Sequence, residues 1–302
     1  MTAGDRRVLV TGPGGFVGRA LCPALEQASW TVIPAGRRAV GDIGPATDWR
    51  ALLDGAEAVI HLAARVHVMR DDAADPEAEF DRVNHLATAR LAAQAAEAGV
   101  RRFVFMSSIK VHGDLSNRAL SAADPPMPVD PYGRSKWAAE RALAGHADRM
   151  EAVVLRPPLV YGPGVKGNFL SLMRAVDRGW PLPFGAIENR RSLIYLGNLV
   201  NAVQASLAVP PGTYLPSDRD DVSTAALVRR VASAMGRPAR LFPVPVWLLR
   251  AFAKAAGRSA AMDRLCGSLT VDGHLPDWRP PFTMAQALAA TAEWYRGAGP
   301  RR

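Results

Sequence analysis

Up to Gly162 the apolar residues fall into short unbroken runs separated by stretches with helical spacing. Residues 8–10, 30–33, 58–64, 102–106 and 153–156 have the length and content of strands buried on both faces. Ala20, Leu21 and Leu25 mark a first helix, residues 49–53 a short one and residues 80–98 a long one. In the long one Val83, Leu86, Ala87, Leu91 and Ala95 share a face, and Gly99 stops it. A further helix opens at Tyr132 and runs to about Ala144. Strands alternating with helices predict an α/β fold with a doubly wound parallel sheet, whose ligands lie at the carboxyl ends of the strands.

Beyond Gly162 the rhythm loosens. Helices are predicted over 169–176, 199–208, 224–235 and 246–256, with short strands at 190–194 and 212–214. Arg250 and Lys254 interrupt the 246–256 stretch, which reads as core packing rather than membrane contact. Residues 65–79 read as a loop or partial helix, 113–131 as a loop and 297–302 as a disordered tail.

The turn after the first strand changes the picture from fold to ligand. Thr11-Gly12-Pro13-Gly14-Gly15-Phe16-Val17-Gly18 joins a strand to a helix. In a dinucleotide fold Gly12 gives the tight turn, Gly15 admits the pyrophosphate and Gly18 brings helix and strand together. The anion then sits on the free N–H groups at the helix N-terminus. About 20 residues past the glycines an acid would hold the adenosine ribose, whereas arginine there accommodates a 2′-phosphate. Gly36 stands at that place and Arg37 and Arg38 follow, which favours NADP(H) and leaves NAD(H) open; the plainer reading is a solvated loop.

Composition narrows the class. A chain of 302 residues, 49% hydrophobic, can bury a large core, and no apolar stretch has the roughly 20 residues of a spanning helix. The N-terminus lacks an apolar leader, so a cytoplasmic enzyme without membrane contact is expected. Cys22 and Cys266 fit neither a disulfide frame nor a metal site. The net charge of +9 comes from scattered arginines without a basic, aromatic-laced stripe, which argues against nucleic acid and leaves an anionic small substrate.

Tyr132 and Lys136 are four apart on a helix and share a face. An ammonium beside a phenol favours phenolate, so this tyrosine is expected to have a lowered pKa and to exchange a proton with an alcohol during hydride transfer. Ser108, at a strand end, could bond the same oxygen. His61 lies in an apolar run and reads as a core histidine.

Residues 11–18, 107–113, 132–136 and 156–162 together resemble the extended short-chain dehydrogenase/reductase family, the nucleotide-sugar epimerases and dehydratases. The resemblance covers nearly the whole chain. It implies a Rossmann-type sheet domain over 1–162, with later segments returning to it, and a smaller α/β substrate domain over 163–302. It implies that Tyr132 is the acid/base, that Lys136 binds the nicotinamide ribose and tunes Tyr132, and that Ser108 positions the substrate oxygen. By position, Asp42 and Ile43 flank the adenine, Leu62, Ala63 and Ala64 line the cofactor with Phe16 and Val17, and Pro157 and Leu159 lie near the nicotinamide. Asn168, Arg191 and Arg264 resemble the contacts to a nucleotide-sugar diphosphate, Arg264 being equally readable as a surface charge. A homodimer through the helices 80–98 and 132–144 is a further family expectation.

More narrowly, residues 61–69 and 107–111 resemble bacterial polysaccharide-pathway members that act on UDP-N-acetyl sugars, some 4-keto-6-deoxy-sugar reductases and others 4-epimerases. His112 replaces a tyrosine common in the family, and Ile109, Lys110 and Val111 stand where 4,6-dehydratases carry Thr-Asp/Asn-Glu. With Arg37 and Arg38, the expectation is an NADPH-dependent reductase of a UDP-linked 4-keto-6-deoxy sugar. The alternatives are a UDP-hexose or UDP-N-acetylhexosamine 4-epimerase with retained NAD and a non-catalytic NADP sensor.

Overall fold

The computed structural model describes residues 6–66 and 75–297. Its strands are β1 (Arg7–Thr11), β2 (Thr31–Ala35), β3 (Ala58–His61), β4 (Arg102–Met106), β5 (Ala119–Leu120), β6 (Glu151–Leu155), β7 (Leu159–Tyr161), β8 (Leu193–Tyr195), β9 (Gly212–Tyr214) and β10 (Thr270–Val271). Six of them form one parallel sheet in the order β2-β1-β3-β4-β6-β9, the Rossmann-type arrangement expected. The chain leaves β1 in one direction to β2 and then crosses to β3, so the winding reverses at β1. There Thr11 pairs with Ala35 on one side and with His61 on the other. A doubly wound sheet leaves its ligand crevice at that place.

The unbroken apolar runs have a simple cause. Successive side chains of a strand point to opposite faces. Val8 and Val10 enter one core layer with Leu21, Leu25, Ile60 and Leu199, while Leu9 enters the other with Val59, Leu91, Phe103 and Leu143. Both layers are helix-covered, so the central positions of these strands are apolar on both faces. The helix Leu196–Ala205 returns to the first layer, where Gln204 Nε2 donates to Ala24 O at 2.8 Å, and β9 extends the sheet beside β6.

A third apolar cluster lies outside the sheet, built from the helices Gly167–Asp177, Thr224–Ala234 and Met284–Gly297 around Tyr161, Phe169, Met173, Val228 and Leu288. The glycine turn touches both halves, because Phe16 packs against this cluster and against the first sheet layer.

Several expected elements shift. The long helix is a composite of Pro76–Phe80, a π-helical turn over Asp81–Leu86 and Ala87–Glu97. The strand expected at 190–194 is Leu193–Tyr195, where β7 supplies a partner; Arg191 instead makes isolated bridges to Val222 and Leu269. β5, β7, β10 and the helices Ser259–Cys266 and Met284–Gly297 escaped the sequence pattern.

The helix Val246–Ala255 departs from the core packing expected of it. Only Leu249 and Ala253 are buried, while Trp247 and Phe252 are 71% and 67% exposed. Its apolar positions run round more of the helix than the body of the protein covers. No described helix is long and apolar enough to cross a membrane. His67 and residues 298–302 lie outside the described residues.

Candidate active site

The glycine turn is shaped by contacts that exclude side chains. Gly12 has a φ of +67°, and a Cβ there would lie 3.0 Å from Ala63 N. A Cβ on Gly18 would lie 2.3 Å from Gly12 O, so turn and helix can approach only through glycine. At Gly14 nothing stands within 4 Å, and Gly15 meets only Gly12 O. The turn is thus closed against the sheet and open outward, above the N-terminus of Gly18–Gln27, which begins after Val17. That cradle fits a dinucleotide diphosphate.

His61 braces the cradle from below. It is fully buried, with Nδ1 2.7 Å from Thr11 Oγ1 and Nε2 2.9 Å from Thr88 Oγ1. Thr88 spends its proton on Asn84 O, so His61 Nε2 donates to it and Nδ1 accepts from Thr11. Thr11 Oγ1 then accepts from Leu62 N and Ala63 N, both at 3.1 Å. Burial, then the charge of Lys136, pushes the imidazole pKa down to about 3, which makes it the neutral core residue expected.

Asn84 was missed by sequence reasoning. It sits in the π-helical turn, fully buried, where its amide exchanges bonds with Arg65 N and O at 2.8 and 2.9 Å and donates to Ser135 Oγ at 3.0 Å. It thereby ties the segment after Ala64 to the helix that carries Tyr132. An amide inside an apolar helical face was the available signal.

The structure brings Ser108, Tyr132 and Lys136 together. Asp130 caps the helix Pro131–Ala144 by accepting from Gly133 N at 2.7 Å, which sets Tyr132 on its first turn. Ser108, just past β4, donates to the Tyr132 oxygen, and Phe80 stands edge-on to the phenol at 6.2 Å. Lys136 is 2% exposed; its Nζ donates to Met106 O at 2.8 Å and lies 4.7 Å above Phe105.

The lowered tyrosine pKa expected from the sequence is not found. Burial pushes Tyr132 up to about 12, helped by the negative charge of Asp130 and opposed by the bond from Ser108. Burial also pulls Lys136 down to about 7 against the attraction of Glu140. The ammonium is turned to the strand-end carbonyl and the aromatic ring, and burial weighs against the charged form of both groups. Lys136 has donors to spare, so the hydroxyls of a nucleotide ribose fit it.

A second missed residue, Glu140, stands one turn beyond Lys136. It accepts from the buried Ser107 hydroxyl and from Arg156, whose Nε lies 3.0 Å from Oε1 and whose Nη2 lies 2.5 Å from Oε2. Both side chains are 4% exposed. Arg156 Nη1 donates to His112 Nε2 at 2.8 Å. Because arginine can only donate, that nitrogen carries no proton, and burial with the Arg156 charge lowers the His112 pKa. The Tyr, Lys and Glu at steps of four already placed Glu140 on the catalytic face.

The remaining candidates divide. Leu62, Ala63 and Ala64 follow β3 beside the glycine turn, half-buried. Pro157 O accepts from Ile109 N at 3.1 Å, and Leu159 is 50% exposed on β7. Ile43 packs on the second sheet layer and its carbonyl accepts from Arg82. Arg37 pairs with Asp42 at 3.2 Å with both side chains over 80% exposed, and Arg38 is exposed beside it. Arg37 is therefore engaged by the acid assigned to the adenine.

Beyond the sheet Arg191 Nη1 donates to Arg264 O at 2.7 Å and Gly267 O at 3.1 Å, which holds the two arginines close. Burial, then the neighbouring Arg264 charge, weighs against the Arg191 proton, while Asp114 supports it. Arg264 lies 3.5 Å from Asp114, a carboxylate that also pairs with Lys110. Asn168 stands exposed on the first turn of Gly167–Asp177.

The model of the NAD-dependent epimerase/dehydratase family matches residues 8–214, from β1 through β9. The chain belongs to that family. It is an enzyme of the extended short-chain dehydrogenase/reductase type, working with a nicotinamide dinucleotide. A UDP-glucose 4-epimerase of Vibrio cholerae is 42% identical over 328 aligned positions that span all of both chains. An N-acetyl-α-D-glucosaminyl-diphospho-undecaprenol 4-epimerase of Escherichia coli O157:H7 is 26% identical over 95% of this chain and 94% of its own. Among solved structures, MoeE5 in complex with UDP-glucuronic acid and NAD superposes with a TM-score of 0.77 at 27% identity, covering 97% of this chain and 99% of that one.

Proposed function

We propose that this family member is a UDP-hexose 4-epimerase that keeps NAD bound through its turnover. The observation that carries the reading is the full-length, 42% identity to the Vibrio cholerae UDP-glucose 4-epimerase. It favours the epimerase over the ketoreductase, and the MoeE5 complex favours NAD over the NADP(H) that Arg37 and Arg38 suggested. Arg37 is paired to Asp42, so a 2′-phosphate there would compete with that carboxylate.

The turn from Gly12 to Gly18 holds the diphosphate of the dinucleotide, Leu62 to Ala64 line its path, and Lys136 takes the ribose near the reacting ring. Bound NAD, held by the glycine turn and Lys136, would supply a reversible hydride acceptor for the sugar C4. Tyr132 takes the C4 hydroxyl proton at its phenol oxygen and later returns it. Ser108 donates to the same oxygen and keeps it within reach. With a pKa near 12 in the ligand-free chain, Tyr132 needs the positive charge of Lys136 and of the oxidised cofactor to become a base. Arg191, Arg264 and Asn168 hold the diphosphate, leaving the sugar free to present either face. Arginine suits this by its fixed charge and forked donors.

The test is to purify the protein, release and identify its dinucleotide, and incubate the protein with UDP-glucose and no added cofactor. Retained NAD and formation of UDP-galactose are expected. An empty protein that consumes NADPH stoichiometrically with a UDP-4-keto sugar would overturn the reading in favour of the reductase.

A further inference from the structure

The helix Val246–Ala255 is sorted into three flanks. At 3.6 residues per turn, Leu249 and Ala253 point inward and are buried. Turning outward, Arg250 and Lys254 form one flank, and Trp247, Ala251, Ala255 and Phe252 a second that covers roughly 140°. Trp247 and Phe252 are 71% and 67% exposed, and Phe242, just before the helix, is 43% exposed. Soluble surfaces rarely present large aromatics together in this way without a partner.

The charge around this patch has one sign. From Val222 to Met262 the chain carries seven Arg or Lys residues and no Asp or Glu, although the whole protein has 28 acids. Arg250 shares Asp263 at 3.4 Å, whereas Lys254 and Arg258 form no ion pair among the described residues. A second copy of this chain would bring the same cations to the patch and repel it. A negatively charged, apolar-centred surface matches both flanks.

We propose that this face docks the enzyme on an anionic lipid surface, with Trp247 and Phe252 at the acyl boundary and Lys254 and Arg258 among the headgroups. Helices that lie in the membrane plane have this build: an apolar flank inserted by a few ångströms and a basic flank alongside. Trp is suited to that depth because its ring is apolar and its N–H polar. The absence of a spanning helix is no obstacle, since the contact is with the surface alone. The docking does not depend on which sugar the active site takes.

The test is sedimentation of the full-length protein with vesicles of phosphatidylethanolamine and phosphatidylglycerol, and with vesicles of phosphatidylcholine alone. Binding is expected to the first and to be weak on the second, and to fall with added salt. Lys254→Ser with Arg258→Ser should weaken it about 30-fold, two charges at about 1 kcal/mol each. Trp247→Ser with Phe252→Ser should abolish it while the thermal transition and solution turnover stay unchanged. Equal binding of wild type and both double variants, or no binding to anionic vesicles at low salt, would overturn the proposal. So would dissociation of a solution dimer by the aromatic pair of substitutions, because the patch would then be covered by a second copy.

Discussion

The two walls of the cleft are built on different principles. On the sheet side buried polar side chains brace the site from behind: Ser107 and Arg156 on Glu140, Thr11 and Thr88 on His61, Arg65 and Ser135 on Asn84. On the far side Arg191 and Arg264 hang on backbone carbonyls and one shared carboxylate, between segments joined by isolated bridges. The first wall must hold reacting atoms to fractions of an ångström. In the proposed reaction the second would hold a flexible diphosphate while the sugar turns, and a charged grip with give would serve that better than a rigid one.

Breaking the first wall should cost most. Tyr132→Phe is expected to lower kcat by about 10²–10⁴-fold, the usual worth of a positioned acid/base, with dinucleotide content unchanged after purification. Full turnover in that variant would remove the phenol from the mechanism. Glu140→Ala leaves Arg156 buried without its counter-charge, and should destabilise the fold by about 3–5 kcal/mol in chemical denaturation.

The second wall should yield more gently. Arg191→Ala is expected to raise KM for UDP-glucose by about 10- to 100-fold, the worth of one or two charged hydrogen bonds, with a smaller change in kcat. A collapse of kcat at unchanged KM would place Arg191 with the reacting atoms instead.

Titration sharpens the contrast further. Lys136 has a folded pKa of about 7 against 10.5 unfolded, so above pH 7 the unfolded chain binds the extra proton. Stability of the dinucleotide-free protein should therefore rise between about pH 7 and 10.5, and Lys136→Met should flatten that rise. The smallest effect belongs to Arg37→Ala. An exposed ion pair is worth about 0–1 kcal/mol, so NAD affinity should change by less than about fivefold. A large loss of NADPH affinity alone would restore the 2′-phosphate reading.

The same division governs what could be read from the sequence. The sheet strands were legible because both faces of most of their residues are buried, and the glycines at 12 and 18 because a side chain does not fit where they stand. Ser108, Tyr132 and Lys136 were legible as types at regular spacing. Their electrostatics were not, since burial reversed the expected direction for the phenol. Arg191 was placed inside a strand, because nothing local says that β8 finds its partner two residues later and leaves Arg191 to long-range bridges. The Val246–Ala255 helix was legible as amphipathic, but how much of its apolar arc the body covers is a tertiary fact.

His61 also makes the site observable. With its pKa near 3 and its tautomer fixed by the hydroxyl that Thr88 commits to Asn84, its ring carries no charge change anywhere in the working pH range. In a nitrogen-15 spectrum its two ring signals should stand still across that range. Any movement of the His61 signals would then report displacement of Thr11 and of the loop above it. A residue that performs no chemistry becomes the internal gauge by which nucleotide capture can be watched.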